Sequence, residues 1–119
     1  MAGKIEWIQH QGKEILFNDR NGLRDDDLIA NSDTAVKAVL DSGKKDILYM
    51  VDNSNTIIVP HVKEHIKKGA NEIKPFIKKL AVVGPNAAQK VLLNVLSVIT
   101  GMNIKVFSDM ESAKDWLVK

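Results

Sequence analysis

The chain has 119 residues, 17 basic against 15 acidic side chains, and no cysteine. That length suits one domain spanning residues 1–119 and a core that closes without staples. The composition excludes disulfides, thiolate metal sites and thiol nucleophiles, and a net charge of +2 is too small to imply a polyanionic partner.

Taken in chain order, the first apolar segments are Ile5 to Ile8 and Ile15 to Phe17. They flank His10-Gln11-Gly12-Lys13, where Gly12 permits the positive φ of a tight turn, so an N-terminal hairpin is predicted. Asp19-Arg20-Asn21-Gly22 is a second turn signal. A helical face follows in Leu28, Ala35, Val36, Val39 and Leu40, with Asp25, Asp26 and Asp27 placed to complement the helix dipole. Asn31-Ser32-Asp33 weakens its middle, so a start at Ser32 is the alternative; Gly43 ends it.

Asp46 to Val51, Lys79 to Val83 and Ile104 to Phe107 read as strands covered on both faces. Between them lie two helical patterns. One is Val62, Ile66, Ala70 and Ile73, with Pro60 at a first helical position. The other is Val91, Leu92, Val95, Leu96 and Ile99, closed by Gly101. Ser108-Asp109-Met110-Glu111 has the form of a capping box for a last helix burying Ala113, Trp116 and Leu117. The expected order is β-β-α-β-α-β-α-β-α. Such alternation implies a mixed, mostly parallel α/β sheet of four or five strands flanked by about four helices.

Several strings bear on chemistry. His61-Val62-Lys63-Glu64-His65 matches the His-x-x-Glu-His pattern of some zinc peptidases, in which a metal-dependent hydrolase would use His61, Glu64 and His65. No third ligand is identifiable, and the two histidines flank the apolar stripe of Val62 and Ile66, so a solvated helix edge is the reading preferred. Asp52-Asn53-Ser54-Asn55-Thr56 begins like a calcium loop and then fails, with Ile57 where glycine is needed and Lys63 where a bidentate glutamate belongs. Asp52, Asn53, Ser54 and Asn55 remain a candidate polar loop, since ligands of open α/β sheets gather at the carboxyl ends of strands. Gly84-Pro85-Asn86-Ala87 lacks the Gly-Lys-Ser/Thr of a phosphate loop and reads as a strand–helix turn. Lys63, Lys67, Lys68, Lys74, Lys78 and Lys79 form a basic cluster around the second long helix, read as a solvated face. Only Arg20 and Arg24 are arginines, which argues against specific nucleic-acid recognition. No run approaches a membrane span and no apolar signal segment opens the chain, so the default is a cytoplasmic protein.

The third long helix is the most unusual feature. At 100° per residue its apolar positions from Val91 to Met102 cover roughly 160°, against about 100° for packing on one sheet face. Leu93 falls outside even that arc and is expected to point away from the core. Leu92, Leu93, Leu96, Ile99 and Met102 are therefore the candidate surface for a partner or an apolar ligand.

The chain resembles the STAS-like superfamily, most closely its SpoIIAA-like branch, whose fold is shared with Sec14-type lipid-binding domains. The resemblance lies in Gly12 to Phe17, the buried strand Ile47 to Val51 ending in Asp52, Lys79 to Gly84, and Val106 to Leu117. It implies a four- or five-stranded mixed sheet and a regulatory, protein-binding or apolar-ligand role. Anti-sigma antagonists of that superfamily carry an Asp-Ser-Ser-Gly-like string whose serine is phosphorylated. The matching stretch here is Pro60-His61-Val62-Lys63, without a hydroxyl, so the phosphoswitch does not carry over. The combined expectation is a non-enzymatic module, with no metal or cofactor, that binds a partner protein or itself. The alternative is a carrier or sensor of a small apolar or lipid-like ligand beside the third long helix.

Overall fold

The computed structural model describes residues 3–119. The elements are β1 (Ile5–His10), β2 (Lys13–Asp19), α1 (Asp25–Ser42), β3 (Ile47–Asp52), α2 (Pro60–Ile73), β4 (Ile77–Val83), α3 (Ala87–Thr100), β5 (Ile104–Phe107) and α4 (Met110–Val118), with one 3-10 turn at Lys74–Phe76. This is the order expected from the alternating patterns. The five strands form one sheet in the order β1-β2-β3-β4-β5. β1 and β2 are antiparallel, and every later neighbour is parallel. The hairpin turns through Gln11 and Gly12, both at positive φ (51° and 78°), the geometry whose twist matches the strands it joins.

Side chains alternate across a strand, and the sheet uses both faces. Every residue of β3 is buried. Tyr49 and Val51, with Leu16, Leu80 and Val82, join a front core capped by Ala35 and Val39 of α1, Ile73 of α2, and Leu92, Leu93 and Leu96 of α3. Leu48 and Met50, with Ile15, Ala81 and Val83, join a rear core closed by Ala113, Leu117 and Val118 of α4. Three helices thus cover the front of the sheet and one nine-residue helix covers the rear.

Three local expectations are corrected. α1 runs unbroken from Asp25, and Asn31 and Ser32 lie on its buried face; Asn31, which looked like an interruption, is satisfied inside the fold by Asn18 and Arg20. The cap of α4 is Asp109, whose Oδ1 accepts from Ser112 N at 2.8 Å, one residue later than the Ser108 box. Trp116 is only half-buried, its ring 5.6 Å from that of Phe107.

The largest correction concerns α3. Its buried face is Gln89, Leu92, Leu93 and Leu96, while Val91, Val95, Val98 and Ile99 are exposed. Leu93, expected to point outward, is 8% exposed and packs in the front core. On a helical wheel the inward face is rotated roughly 80° from the stripe of Val91, Leu92, Val95, Leu96 and Ile99. The rotation is held at the helix start. Asn86 Oδ1 accepts from Gln89 N at 2.8 Å, Gln89 Oε1 accepts from Asn86 N at 3.2 Å, and Gln89 Nε2 donates inward to Thr56 O at 2.6 Å.

Candidate functional site: a cavity under the front helices

The carboxyl ends of β2 and β3 and the start of α3 are tied into one polar knot. Arg20 N donates to Asp52 O, and Asn53 N donates to Val83 O. Thr56 Oγ1 donates to Arg20 O at 2.9 Å, and Gln89 reaches Thr56 O from α3. Within the candidate loop, Asp52 Oδ1 accepts from Ser54 N at 2.9 Å. Ser54 packs so closely on Gly84 that a Cβ there would lie 2.2 Å from Ser54 Oγ, and Gly84 also has φ +69°. Asn55 O accepts from Arg24 Nη1 at 2.6 Å. Three of the four loop residues are thus structural, and the fourth, Asn53, is directed elsewhere.

Beneath the knot, between the sheet and α1, α2 and α3, lies a cavity of about 60 Å³. Most of its lining, the floor, is apolar and includes Val36, Ala70, Ile73, Leu80, Val82, Leu93, Leu96 and Met102. A smaller polar part, the roof, consists of Arg20, Ser32, Tyr49, Asn53 and Gln89. α1 and α2 approach closely above it because Gly69 lacks a side chain: an added Cβ would lie 3.1 Å from Val36 Cγ2 and 3.2 Å from Ser32 Oγ. A second concavity of about 260 Å³ lies between the first turns of α2 and α3, and shares Ile58, Gln89 and Leu92 with the cavity.

The polar wall is held by a buried network. Asn31 Oδ1 accepts from Asn18 Nδ2 at 2.9 Å and from Arg20 Nε at 2.8 Å, while Asn31 Nδ2 donates to Asn18 Oδ1 at 2.7 Å. Asn18 Nδ2 also donates to Tyr49 Oη at 3.0 Å. Arg20 is 8% exposed and Asn53 5%. Asn53 Oδ1 is fully enclosed with no hydrogen-bond partner, the kind of orphan that buried polar groups rarely remain.

The five candidate residues of the third long helix separate into two groups. Leu92, Leu93, Leu96 and Met102 line the cavity, and Ile99 stands on the outer stripe with Val91, Val95 and Val98. The His61-Glu64-His65 string does not converge on a site. His65 Nε2 pairs with Asp33 of α1 at 2.6 Å, and His61 is exposed. The described residues contain no group of three His, Asp or Glu side chains arranged to hold a metal ion. The basic cluster also divides: Lys79 lies on β4, and its Nζ donates to Trp116 O at 2.9 Å across the rear of the sheet.

Arg20, Asn31, Tyr49 and Gln89 were not singled out from the sequence. Gln89 had a readable signal, since Asn86-x-x-Gln89 is a capping box. Arg20 and Asn31 had none, because they stand 11 positions apart across a turn and a helix and only the tertiary fold brings them together.

Taken together, an open mixed sheet with an antiparallel N-terminal hairpin, three front helices and one rear helix defines a STAS-like α/β architecture. The chain belongs to the SpoIIAA-like family, whose model matches residues 19–118. It is similar to a solved structure from Shewanella loihica PV-4, an uncharacterized protein of the DUF3478 family with a SpoIIAA-like fold. That match has 20% identity and a TM-score of 0.74, and covers 96% of this chain and 92% of the other. At that identity the likeness speaks to the fold. No curated protein matches the sequence. No helix among the described residues is long and apolar enough to cross a membrane.

Proposed function

We propose that the protein is a non-enzymatic binding module that holds a small, largely apolar molecule in the cavity between its sheet and α1–α3. The observation that carries this reading is the composition of the cavity wall. It joins a mostly apolar lining to a few polar groups, among them the buried Arg20, Tyr49 and Asn53. Small-molecule sites have this make-up, apolar with a few convergent polar groups. No histidine, carboxylate or lysine lines the cavity, so it offers no group suited to general acid–base chemistry near neutral pH. The adjoining concavity between α2 and α3, which shares Ile58, Gln89 and Leu92 with the cavity, is the route of entry we propose.

Native mass spectrometry of gently purified protein tests this. The expected result is a retained small molecule, or stabilisation on adding small apolar compounds, and loss of either in Ala70→Leu, which fills the floor. No retained mass and no thermal shift with any such compound would sink the reading.

A second reading, association with another protein or with a second copy, is favoured by the outer stripe of α3. Val91, Val95, Val98 and Ile99 recur at helical spacing, and Val98 is 84% exposed. Exposed apolar area of this kind marks interaction surfaces. Sedimentation over a range of concentrations should then show self-association that Val98→Lys removes. A monomer at all concentrations would leave only a different protein as the partner.

A further inference from the structure

The hydrogen-bonding valences left open in the cavity roof point to the chemical class of its ligand. Arg20 carries a permanent positive charge, is almost wholly buried, and has no carboxylate at ion-pair distance among the described residues. Its Nε is satisfied by Asn31 Oδ1, and its two terminal nitrogens have no hydrogen-bond partner there. A buried charge without a counterion is costly. Asp52, whose backbone O accepts from Arg20 N, directs its carboxylate to Ser54 N.

The other open valences have the same sign. Tyr49 Oη accepts from Asn18, and its own O–H has no acceptor among the described residues. The Ser32 hydroxyl is likewise free. Asn53 Nδ2 has no acceptor among the described residues and, unlike the enclosed Oδ1, is not shut away from the cavity. Gln89 is engaged at both ends of its amide, by Asn86 N and Thr56 O, and keeps one N–H of Nε2 open. The roof is thus rich in donors and lacks an anion, above an apolar floor.

We propose that the ligand is a small monocarboxylate, with its carboxylate seated on the Arg20 guanidinium beside Asn53 and Tyr49, and its hydrocarbon part against Leu80, Leu93, Leu96 and Met102. This rests on the reading of the cavity as a ligand site. One guanidinium fork matches one planar, singly charged carboxylate. The cavity of about 60 Å³ has room for about four to six heavy atoms, taking roughly 10–15 Å³ for each water-sized group. That is the size of butanoate.

The test is a titration of the full chain with butanoate and with its neutral isostere butanamide, followed by backbone amide chemical shifts. Butanoate should saturate, with shifts centred on Arg20, Asn53 and Leu93, and bind about ten-fold or more tightly than butanamide. Arg20→Gln should weaken butanoate to the level of butanamide and leave butanamide unchanged. Asn53→Asp, nearly isosteric, puts an anion in the roof and should exclude butanoate even if Arg20→Gln fails to fold. Equal binding of the two compounds would overturn the carboxylate assignment and leave the cavity reading standing. Binding of neither, with no stabilisation by other small apolar compounds, would remove both. Shifts confined to surface lysines, unchanged in both variants, would also overturn the proposal.

Discussion

Leu93 and Val98 sit on the same helix and have opposite fates. Leu93 packs against the sheet and Val98 faces solvent. Leu93→Ala should therefore cost about 2–5 kcal/mol, the range for truncating a core leucine, while Val98→Lys should stay within about 0.5 kcal/mol. Chemical denaturation of the two variants measures this, and the reverse ranking would show that α3 is rotated from the orientation described. Asn31 is the second decisive residue. It accepts from both Asn18 and Arg20, so Asn31→Ala leaves two buried donors unpaired and should cost about 3 kcal/mol, near the upper end for such a loss. Asn31→Asp keeps the acceptor and gives Arg20 a counterion, so at neutral pH it should be more stable than Asn31→Ala. Equal stability of the two would mean that water, and not Asn31, satisfies Arg20.

At the scale of the element, helix ends decide more than helix composition. α3 takes its rotation from the Asn86–Gln89 box and from the inward bond of Gln89 to Thr56 O. α4 depends on Asp109, whose carboxyl is held below its ordinary value of 3.8 by the Ser112 backbone N–H and then by the Ser112 hydroxyl. A carboxylate with a lowered folded pKa contributes stability that is complete above its unfolded value and lost as pH falls through the folded one. The melting temperatures of the wild type and Asp109→Ala should thus differ by a constant amount from neutral pH down to the ordinary carboxylate range. Below that range the gap should narrow. A gap independent of pH down to strong acid would mean that the charged cap contributes nothing to α4.

At the scale of the whole molecule the layers are unequal. Three helices cover the front of the sheet, and α4 alone closes the rear over Leu48, Met50, Ala81 and Val83. Nothing else among the described residues substitutes for it there, apart from half-buried Ile8, Phe17 and Phe107. Leu117→Ala should accordingly cost about 2–5 kcal/mol, and deleting residues 110–119 should leave a chain without cooperative unfolding. A truncated chain that still melts cooperatively would show that the front core suffices. The front, by contrast, holds a cavity lined in part by polar groups.

The sequence by itself determined the elements, their order and the family. The apolar runs of β3 and β4 stand between helical patterns, and a buried parallel strand must be apolar on both faces whatever lies next to it; β5, expected to be covered on both faces, is instead an edge strand with Lys105 exposed and no fully buried residue. Local chemistry also marked the Gln11-Gly12 turn, Pro60 at the start of α2, and the glycines that end α1 and α3. Only the tertiary structure decided which side of α3 faces inward. Its apolar arc is wider than one contact needs, so periodicity fits more than one orientation, and a side-chain bond from Gln89 to a loop 33 residues away selects among them. The same holds for the cavity roof. Asn18, Arg20, Asn31 and Tyr49 are polar residues with ordinary local surroundings, and the sheet and α1 bring them together only on folding. Periodicity records which residues leave water; which buried polar groups find partners, and which are left with open valences, is set by contacts that no local pattern encodes.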